Sequence, residues 1–390
     1  MEIERIYKIP SRSFFLFGPR GVGKSTWIRK RGHFDLAIDL LRQDIFLRLQ
    51  REATLLEAQT AHLPTGSVVF IDEIQRLPEL LNEVHRLMEE RKLDFILTGS
   101  SARKLKRAGT NLLAGRAHTY KMFPFSLMEL GSRFSLDSCL KYGTLPIVLR
   151  DMDLAEETLS SYVGTYLREE IKEEALVRRV EEFNRFLAIA GQLNGSVLNF
   201  QNVSREAGKS AKTIQSWYQI LEETLLGTLL EPYRPGFKTR ESGHSKFFWF
   251  DAAVARVAAG LSWNDLDNTW KGFAFESMIL RELQIYKEIS RKSNHLFYYA
   301  TPGAGEVDFI VETRPKTINH PQEFISIEVK FASKWRRDSE GPSRCLRDVA
   351  QKSHKRMIGV YTGTERLTLD SFEVLPLPVF LDELYRGALF

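Results

Sequence analysis

Cysteine is nearly missing: the 390 residues hold two, Cys139 and Cys345. That excludes a disulfide framework and a four-cysteine zinc site. Long apolar runs are missing too, and none approaches the roughly 20 residues a membrane span needs. The opening Met1-Glu2-Ile3-Glu4-Arg5-Ile6-Tyr7 sets acids where a secretory leader needs bases before an apolar stretch. No repeat at a fixed period and no low-complexity tract appears, which argues against solenoids and disordered tails. A soluble, cytoplasmic protein of a reducing compartment, with no membrane partner, is expected.

The balance of what remains is globular, with 43% hydrophobic and 27% charged residues. At roughly 150 residues per domain the length suggests two or three. Lys plus Arg (55) exceeds Asp plus Glu (50) by 5. Such a mild excess is compatible with nucleic acid but does not by itself indicate it.

Three regimes follow along the chain. In residues 1–150 short apolar runs, Ser13 to Phe17, Ala37 to Leu40, Val68 to Ile71 and Asp94 to Thr98, alternate with amphipathic helical stretches. That alternation predicts an α/β domain with a parallel sheet covered on both faces. Residues 151–255 are mainly helical and end in a strand pair, Gly227 to Leu230 with Phe247 to Phe250. Residues 256–390 predict a helix from Phe273 to Tyr286, then strands Leu296 to Ala300, Glu306 to Glu312 and Phe324 to Lys330. Pro302-Gly303-Ala304-Gly305 turns the first two. A helix over Arg347 to Met357 and a strand from Ile358 to Thr362 complete this region.

The sharpest motif is Gly18-Pro19-Arg20-Gly21-Val22-Gly23-Lys24-Ser25, which follows a predicted strand and opens a helix at Thr26. This is the P-loop pattern in its proper context. Its glycines let backbone N–H groups curl around phosphates, and the helix N-terminus adds positive potential. Gly18 through Thr26 are therefore the nucleotide-binding candidates, with Lys24 reaching the β- and γ-phosphates and the Ser25 hydroxyl on Mg²⁺. A plain glycine turn would not require Lys-Ser after its last glycine. Asp72 and Glu73 end a buried strand: Asp72 is placed to hold Mg²⁺ and Glu73 to polarise the attacking water. An acid-rich helix start is the plainer alternative. At the end of the next strand Ser100 or Thr98 is a candidate sensor of the γ-phosphate, against a simple turn. Arg116 is a candidate arginine finger acting on a neighbouring subunit, against an ordinary surface arginine.

Gly18 to Ser25, Val68 to Glu73, Leu97 to Ser101, Leu113 to Arg116 and Phe123-Pro124-Phe125-Ser126 together resemble the prokaryotic AAA-family ATPases that carry a C-terminal domain of unknown function. The stretch Tyr162 to Glu170 resembles that group's joining segment, with Arg168-Glu169 where the family commonly has Arg-Asp. The resemblance implies an ATP- and Mg²⁺-dependent ATPase assembling as a homo-oligomer.

In the middle region Asn202 to Tyr218 reads as helix, glycine turn, helix, with Ser210 as N-cap and Ile214, Trp217, Tyr218 and Leu221 buried. With the strand pair as a wing it resembles a winged helix-turn-helix, in which Lys209, Lys212, Thr213 and Gln215 would face DNA. A packing unit is the alternative. Further on, Asp308 lies on one strand, and Glu328 and Lys330 share a face of the next. Two acids suit Mg²⁺, a hard ion preferring oxygen, and the lysine can stabilise negative charge. Glu276 on the preceding helix is placed to complete the cluster. The order of helix, Asp strand and Glu-x-Lys strand resembles the PD-(D/E)XK nuclease core. Residues 330–356 hold nine Lys or Arg against three acids. There Lys334, Arg336 and Arg337 are candidate phosphate contacts, with Trp335 available to stack.

The expectation is an ATPase acting on duplex or branched DNA, with nuclease activity at the second centre left open. Two other classes stay open. One is a ring motor remodelling DNA with an inactive nuclease fold; the other is a nucleotide-dependent regulatory switch of toxin or defence type acting on a protein partner. A protein-unfolding motor fits less well, because residues 40–66 hold no aromatic-apolar-Gly pore loop.

Overall fold

The computed structural model describes residues 3–107, 113–133, 135–167, 180–234, 243–261, 266–301 and 305–390. The Arg168-Glu169 pair and the Pro302-Gly303-Ala304 turn lie outside the described residues. Two compact units emerge, one of Met1–Phe125, Leu145–Arg150 and Gln219–Leu226, the other of Ser126–Thr144, Asp151–Tyr218 and Gly227–Phe390. The boundary expected after residue 255 falls inside the helix Ala252–Ala258.

The first unit is built on a five-stranded sheet: β1 (Phe14–Phe17), β2 (Leu36–Asp39), β3 (Val68–Asp72), β4 (Asp94–Gly99) and β5 (His118–Lys121). The order is β2-β3-β4-β1-β5 and every pairing is parallel. All four residues of β1 are buried, and β3 and β4 are buried along nearly their whole length. Such unbroken apolar strands suit a sheet covered on both faces, each large side chain contributing roughly 1.5–3 kcal/mol on burial. Phe15, Phe17, Ile71, Leu87, Phe95 and Leu97 belong to one core cluster. Because neighbouring strands run parallel, the C-terminal ends of β1, β3 and β4 come to one edge. Open α/β sheets place their ligands at that edge.

In the second unit, the helix Phe200–Ala207 and the first turns of the helix Ala211–Glu223 flank Gly208, whose φ of 66° ends the former. Asn199 caps the first helix, and Ser210 Oγ accepts from Thr213 N at 3.1 Å at the start of the second. Ile214, Trp217, Tyr218 and Leu221 are buried as the periodicity predicts. An eight-stranded sheet follows: β6 (Gly227–Pro232), β7 (Lys246–Trp249), β8 (Leu296–Thr301), β9 (Gly305–Arg314), β10 (Glu323–Lys330), β11 (His354–Tyr361), β12 (Leu367–Leu369) and β13 (Phe372–Pro376). Its order is β12-β13-β11-β10-β9-β8-β6-β7. β8, β9 and β10 form an antiparallel meander, whereas β11 joins β10 in parallel.

The helix Asn268–Ser290 packs against β10, and the helix Gly341–Ala350 against β9 and β11. The latter lies earlier than the expected Arg347 to Met357. Pro342 near its start favours initiation there. Gln351, at φ 46°, ends it, and β11 begins at His354 rather than Ile358.

Candidate functional site

At the C-terminal edge of the first sheet the chain leaves β1 through Gly18 and enters the helix Lys24–Arg31. Gly21 and Gly23 take φ values of 83° and 90°, which side chains rarely tolerate. Gly18 is needed for space, since a Cβ there would sit 2.3 Å from the Met122 carbonyl oxygen. Lys24 is buried and donates from Nζ to the carbonyls of Gly18 (2.7 Å) and Pro19 (3.2 Å). Val22 is fully buried, while Arg20 and Thr26 are exposed. Arg5 braces the loop, donating to Val22 O at 2.6 Å and Phe123 O at 2.8 Å.

Asp72 is the hub of this edge. Its Oδ1 accepts from Ser25 Oγ at 2.7 Å and from Thr98 Oγ1 at 2.5 Å. Its Oδ2 faces Arg29 at 3.4 Å, and Arg29 also reaches Asp39 at 3.1 Å. A buried carboxylate bonded to the hydroxyl after the P-loop lysine supplies hard oxygen donors suited to Mg²⁺. Glu73 follows at φ 62°, and its Oε2 accepts from Gln75 Nε2. The same amide nitrogen reaches Ser100 Oγ at 3.3 Å. Thr98 thus orients Asp72, and Ser100 connects to Glu73. Arg116 is exposed and ion-paired with Glu89.

The second constellation lies where β9 meets β10. Phe309 pairs with Ile327, so Asp308 and Glu328 stand next in the same register. Asp308 Oδ2 accepts from Val329 N at 2.7 Å and faces Lys330 Nζ at 3.6 Å; Lys330 also donates to Glu328 Oε1 at 2.6 Å. Among the described residues, Glu276, Glu306 and Asp308 each bring a carboxylate oxygen within 4.8 Å of the other two. Lys246, 2% exposed, reaches this group from β7: its Nζ lies 3.0 Å from Glu276 Oε1 and pairs with Glu306.

Burial, then the Asp308 charge, push the Glu276 carboxyl up to about 8 despite the Lys246 ammonium. Burial and Asp308 likewise hold Glu328 well above the carboxylate range. Burial alone would lower the two lysines, but Glu276, Asp308 and Glu306 raise Lys246, and Asp308 and Glu328 raise Lys330. Burial beside the Asp308 charge thus favours the protonated form of Glu276 and of Glu328.

The cationic candidates divide by what they touch. Lys209 is ion-paired with Glu182 at 2.6 Å, and the Thr213 hydroxyl lies 2.8 Å from Ser210 Oγ. Lys212 and Gln215 are exposed on the second helix. Trp335 is not free to stack on a base. Its ring packs near Phe372 and Tyr361, its Nε1 donates to Glu340 at 3.2 Å, and it closes over Gly359. Arg344, Lys355 and Arg356 are taken up by Glu340, Glu323 and Glu373. Arg337 faces Asp370 at 3.5 Å. Lys334 and Arg336, exposed, line a cleft of about 720 Å³ that also contains Lys330.

Residues 10–131 match an AAA domain. That match carries nucleotide binding and an ATPase-type function for this segment. Residues 133–265 and 271–380 match two further families, each described as a domain of unknown function (DUF8612 and DUF4143). No curated protein matches the chain in sequence. Among the described residues no helix is long and apolar enough to cross a membrane.

Four residues of these constellations are absent from the sequence-derived set: Arg29, Gln75, Lys246 and Glu306. Arg29 stands four residues after Ser25 on a helix, and Glu306 two before Asp308 on a strand, so periodicity alone placed each beside a candidate. Gln75 follows Glu73 closely, but only the turn Ile74–Arg76 aims it back. Nothing in the sequence connects Lys246 to Glu276 or Glu306.

Proposed function

We propose that the AAA domain hydrolyses ATP with Mg²⁺, and that nucleotide state governs how the C-terminal half engages DNA. The observation that carries the first part is the convergence of Lys24, Ser25, Asp72, Glu73 and Ser100 on the edge formed by β1, β3 and β4. Ser25 and Asp72 would hold the Mg²⁺ that accompanies ATP, which would supply charge neutralisation at the phosphates. Glu73 accepts a proton from water, Lys24 carries positive charge to the terminal phosphates, and the loop's N–H groups orient them. Arg116 acts across subunits of a homo-oligomer, where a γ-phosphate would replace Glu89 as its partner.

The DNA reading rests on Lys330, Lys334 and Arg336 lining one cleft, with exposed Lys212 and Gln215 as helix-borne contacts. The order of helix, three-stranded meander, helix and parallel strand, bearing Asp308 and Glu328-Val329-Lys330, supports a PD-(D/E)XK nuclease-like domain over residues 256–390. Residues 151–255 serve as helical linker and winged helix. Glu328 Oε2 is buried without a hydrogen-bond partner among the described residues, and carboxylate oxygens of this kind suit a divalent cation. Asp308, Glu328 and Glu276 would hold that ion, which would supply Lewis-acid polarisation of a phosphodiester.

One observation favours a second reading, in which this fold grips DNA without cutting. Lys246 already neutralises Glu276 and Glu306, leaving less negative charge to attract a cation. One experiment separates the readings: incubate the pure protein with duplex, single-stranded and branched DNA, with and without ATP and Mg²⁺, and follow phosphate release and DNA products together. ATP-dependent scission supports the nuclease, and strand movement without scission supports the motor. Hydrolysis indifferent to DNA points to a switch acting on a protein. Absence of phosphate release under every condition overturns the ATPase reading.

A further inference from the structure

Gln75 is 6% exposed, in a chain turn two residues beyond Glu73. Its Nε2 donates to Glu73 Oε2 and to Ser100 Oγ, the latter at 3.3 Å. A carboxylate only accepts, so the amide nitrogen rather than its oxygen must face Glu73. That orientation leaves Gln75 Oε1 buried without a hydrogen-bond partner among the described residues, a state that costs stability. Gly99 accommodates it, because a Cβ at that position would sit 2.5 Å from Gln75 Oε1. Glu73 itself takes the left-handed conformation, φ 62° and ψ 45°, which is strained for a side-chain-bearing residue. Its N–H points to Thr98 Oγ1 at 3.4 Å. Three unfavourable choices, a strained glutamate, an orphaned amide oxygen and an obligatory glycine, serve one contact.

We propose that Gln75 is a positioning residue for the hydrolytic carboxylate. Its two amide N–H bonds join Glu73 to the hydroxyl at the end of β4, so that the aim of the carboxylate and the position of Ser100 change together. A γ-phosphate that contacts Ser100 is thereby sensed by Glu73 through a single rigid amide. Gln75 acts through Glu73 and takes no part in bond making. This inference rests on the reading of Glu73 as the group that activates water.

The test is a double-mutant cycle on phosphate release. Gln75→Met keeps the size and removes both donors. It lowers kcat roughly 10- to 100-fold, the scale of a misaimed catalytic group, while KM for ATP and the affinity for a fluorescent ATP analogue stay within about twofold of wild type. Ser100→Ala lowers kcat as well, and the double variant is no slower than the slower single one. In a Glu73→Gln background, Gln75→Met has no further effect. Should Gln75→Met fail to fold in a thermal melt, Gln75→Glu enters the same cycle, being isosteric and repelled by Glu73. Turnover of the Gln75 variant within about twofold of wild type, or losses that multiply in the double variant, overturns the proposal while leaving the ATPase reading intact. A wild-type protein that releases no phosphate sinks the ATPase reading itself, and this proposal with it.

Discussion

Lys246 Nζ lies 3.0 Å from Glu276 Oε1 and also pairs with Glu306 of β9, although β6 and β8 intervene between its own strand and β9. The lysine chain passes the Tyr298 ring, 5.5 Å from its centroid, to end among carboxylates. A buried ammonium in this position acts as an internal counter-ion. Removing it with Lys246→Met strands Glu276 and Glu306, and breaking such a buried pair costs about 3–5 kcal/mol. Thermal unfolding of the variant falls below wild type, and added Mn²⁺ restores more stability to the variant than it adds to the parent. Equal Mn²⁺ responses in the two proteins would show that the cluster and the lysine do not compete.

Glu73→Gln removes the carboxylate proposed to accept the proton and leaves the P-loop sequence unchanged. Phosphate release drops by at least roughly 100-fold, the usual contribution of a general base, while calorimetry still detects ATP binding. Lys24→Ala weakens both. Normal turnover in the Glu73 variant would displace the site from this sheet edge.

Asp308→Asn and Asp308→Ala separate chemistry from packing. Both remove the negative charge, and both abolish any Mg²⁺-dependent scission. Only the alanine leaves the Val329 N–H without its acceptor, at a cost of about 1–3 kcal/mol. Denaturant titration therefore ranks wild type and the asparagine variant together, above the alanine variant. Scission surviving in both variants would remove Asp308 from the second centre.

Glu282 provides a pH signature unrelated to either site. It is fully buried on the helix Asn268–Ser290, accepts from Leu127 N at 3.0 Å and Tyr385 Oη at 2.7 Å, and its carboxyl is pushed up by burial from 4.5 to about 7. A carboxylic acid whose folded pKa exceeds its unfolded value is a liability once ionised. The cost is absent below about pH 4.5, grows between about 4.5 and 7 and is complete above about 7, reaching about 3 kcal/mol by linkage. Glu282→Gln accepts from Leu127 and donates to the tyrosine oxygen. It raises the melting temperature at about pH 8 and changes it little at about pH 4.5. A pH-independent effect would contradict the role given to burial.

Lys334 and Arg336 make no ion pair with a described residue, unlike their neighbours Arg344 and Arg356. Replacing both with alanine lowers the slope of log affinity for duplex DNA against log salt by about 0.9 for each phosphate that is no longer neutralised. An unchanged slope would place the DNA surface elsewhere.

The nucleotide edge was largely legible in the sequence because its parts are short and local. A P-loop is contiguous, and strand ends bearing Asp72, Glu73 and Ser100 announce themselves by the apolar runs before them. The Asp308, Glu328 and Lys330 set was legible for a similar reason, since strand periodicity puts alternate residues on one face. Less legible were groups whose role depends on what the fold opposes to them. The basic run 330–356 reads as one patch, yet the tertiary structure turns several of its cations onto acids distant along the chain (Arg344 on Asp370, Lys355 on Glu323, Arg356 on Glu373 and Glu383) and buries much of Trp335.

By itself the sequence determined which strands and helices form, and which hydroxyls, acids and lysines end them, because hydrophobic period and glycine placement act over a few residues. Only the tertiary structure decided that Lys246 meets Glu276 and Glu306, that Gln75 ties Glu73 to Ser100, and which of the described cations find an acid. Those outcomes depend on strand order and chain reversal, which bring together side chains whose separation along the chain carries no signal.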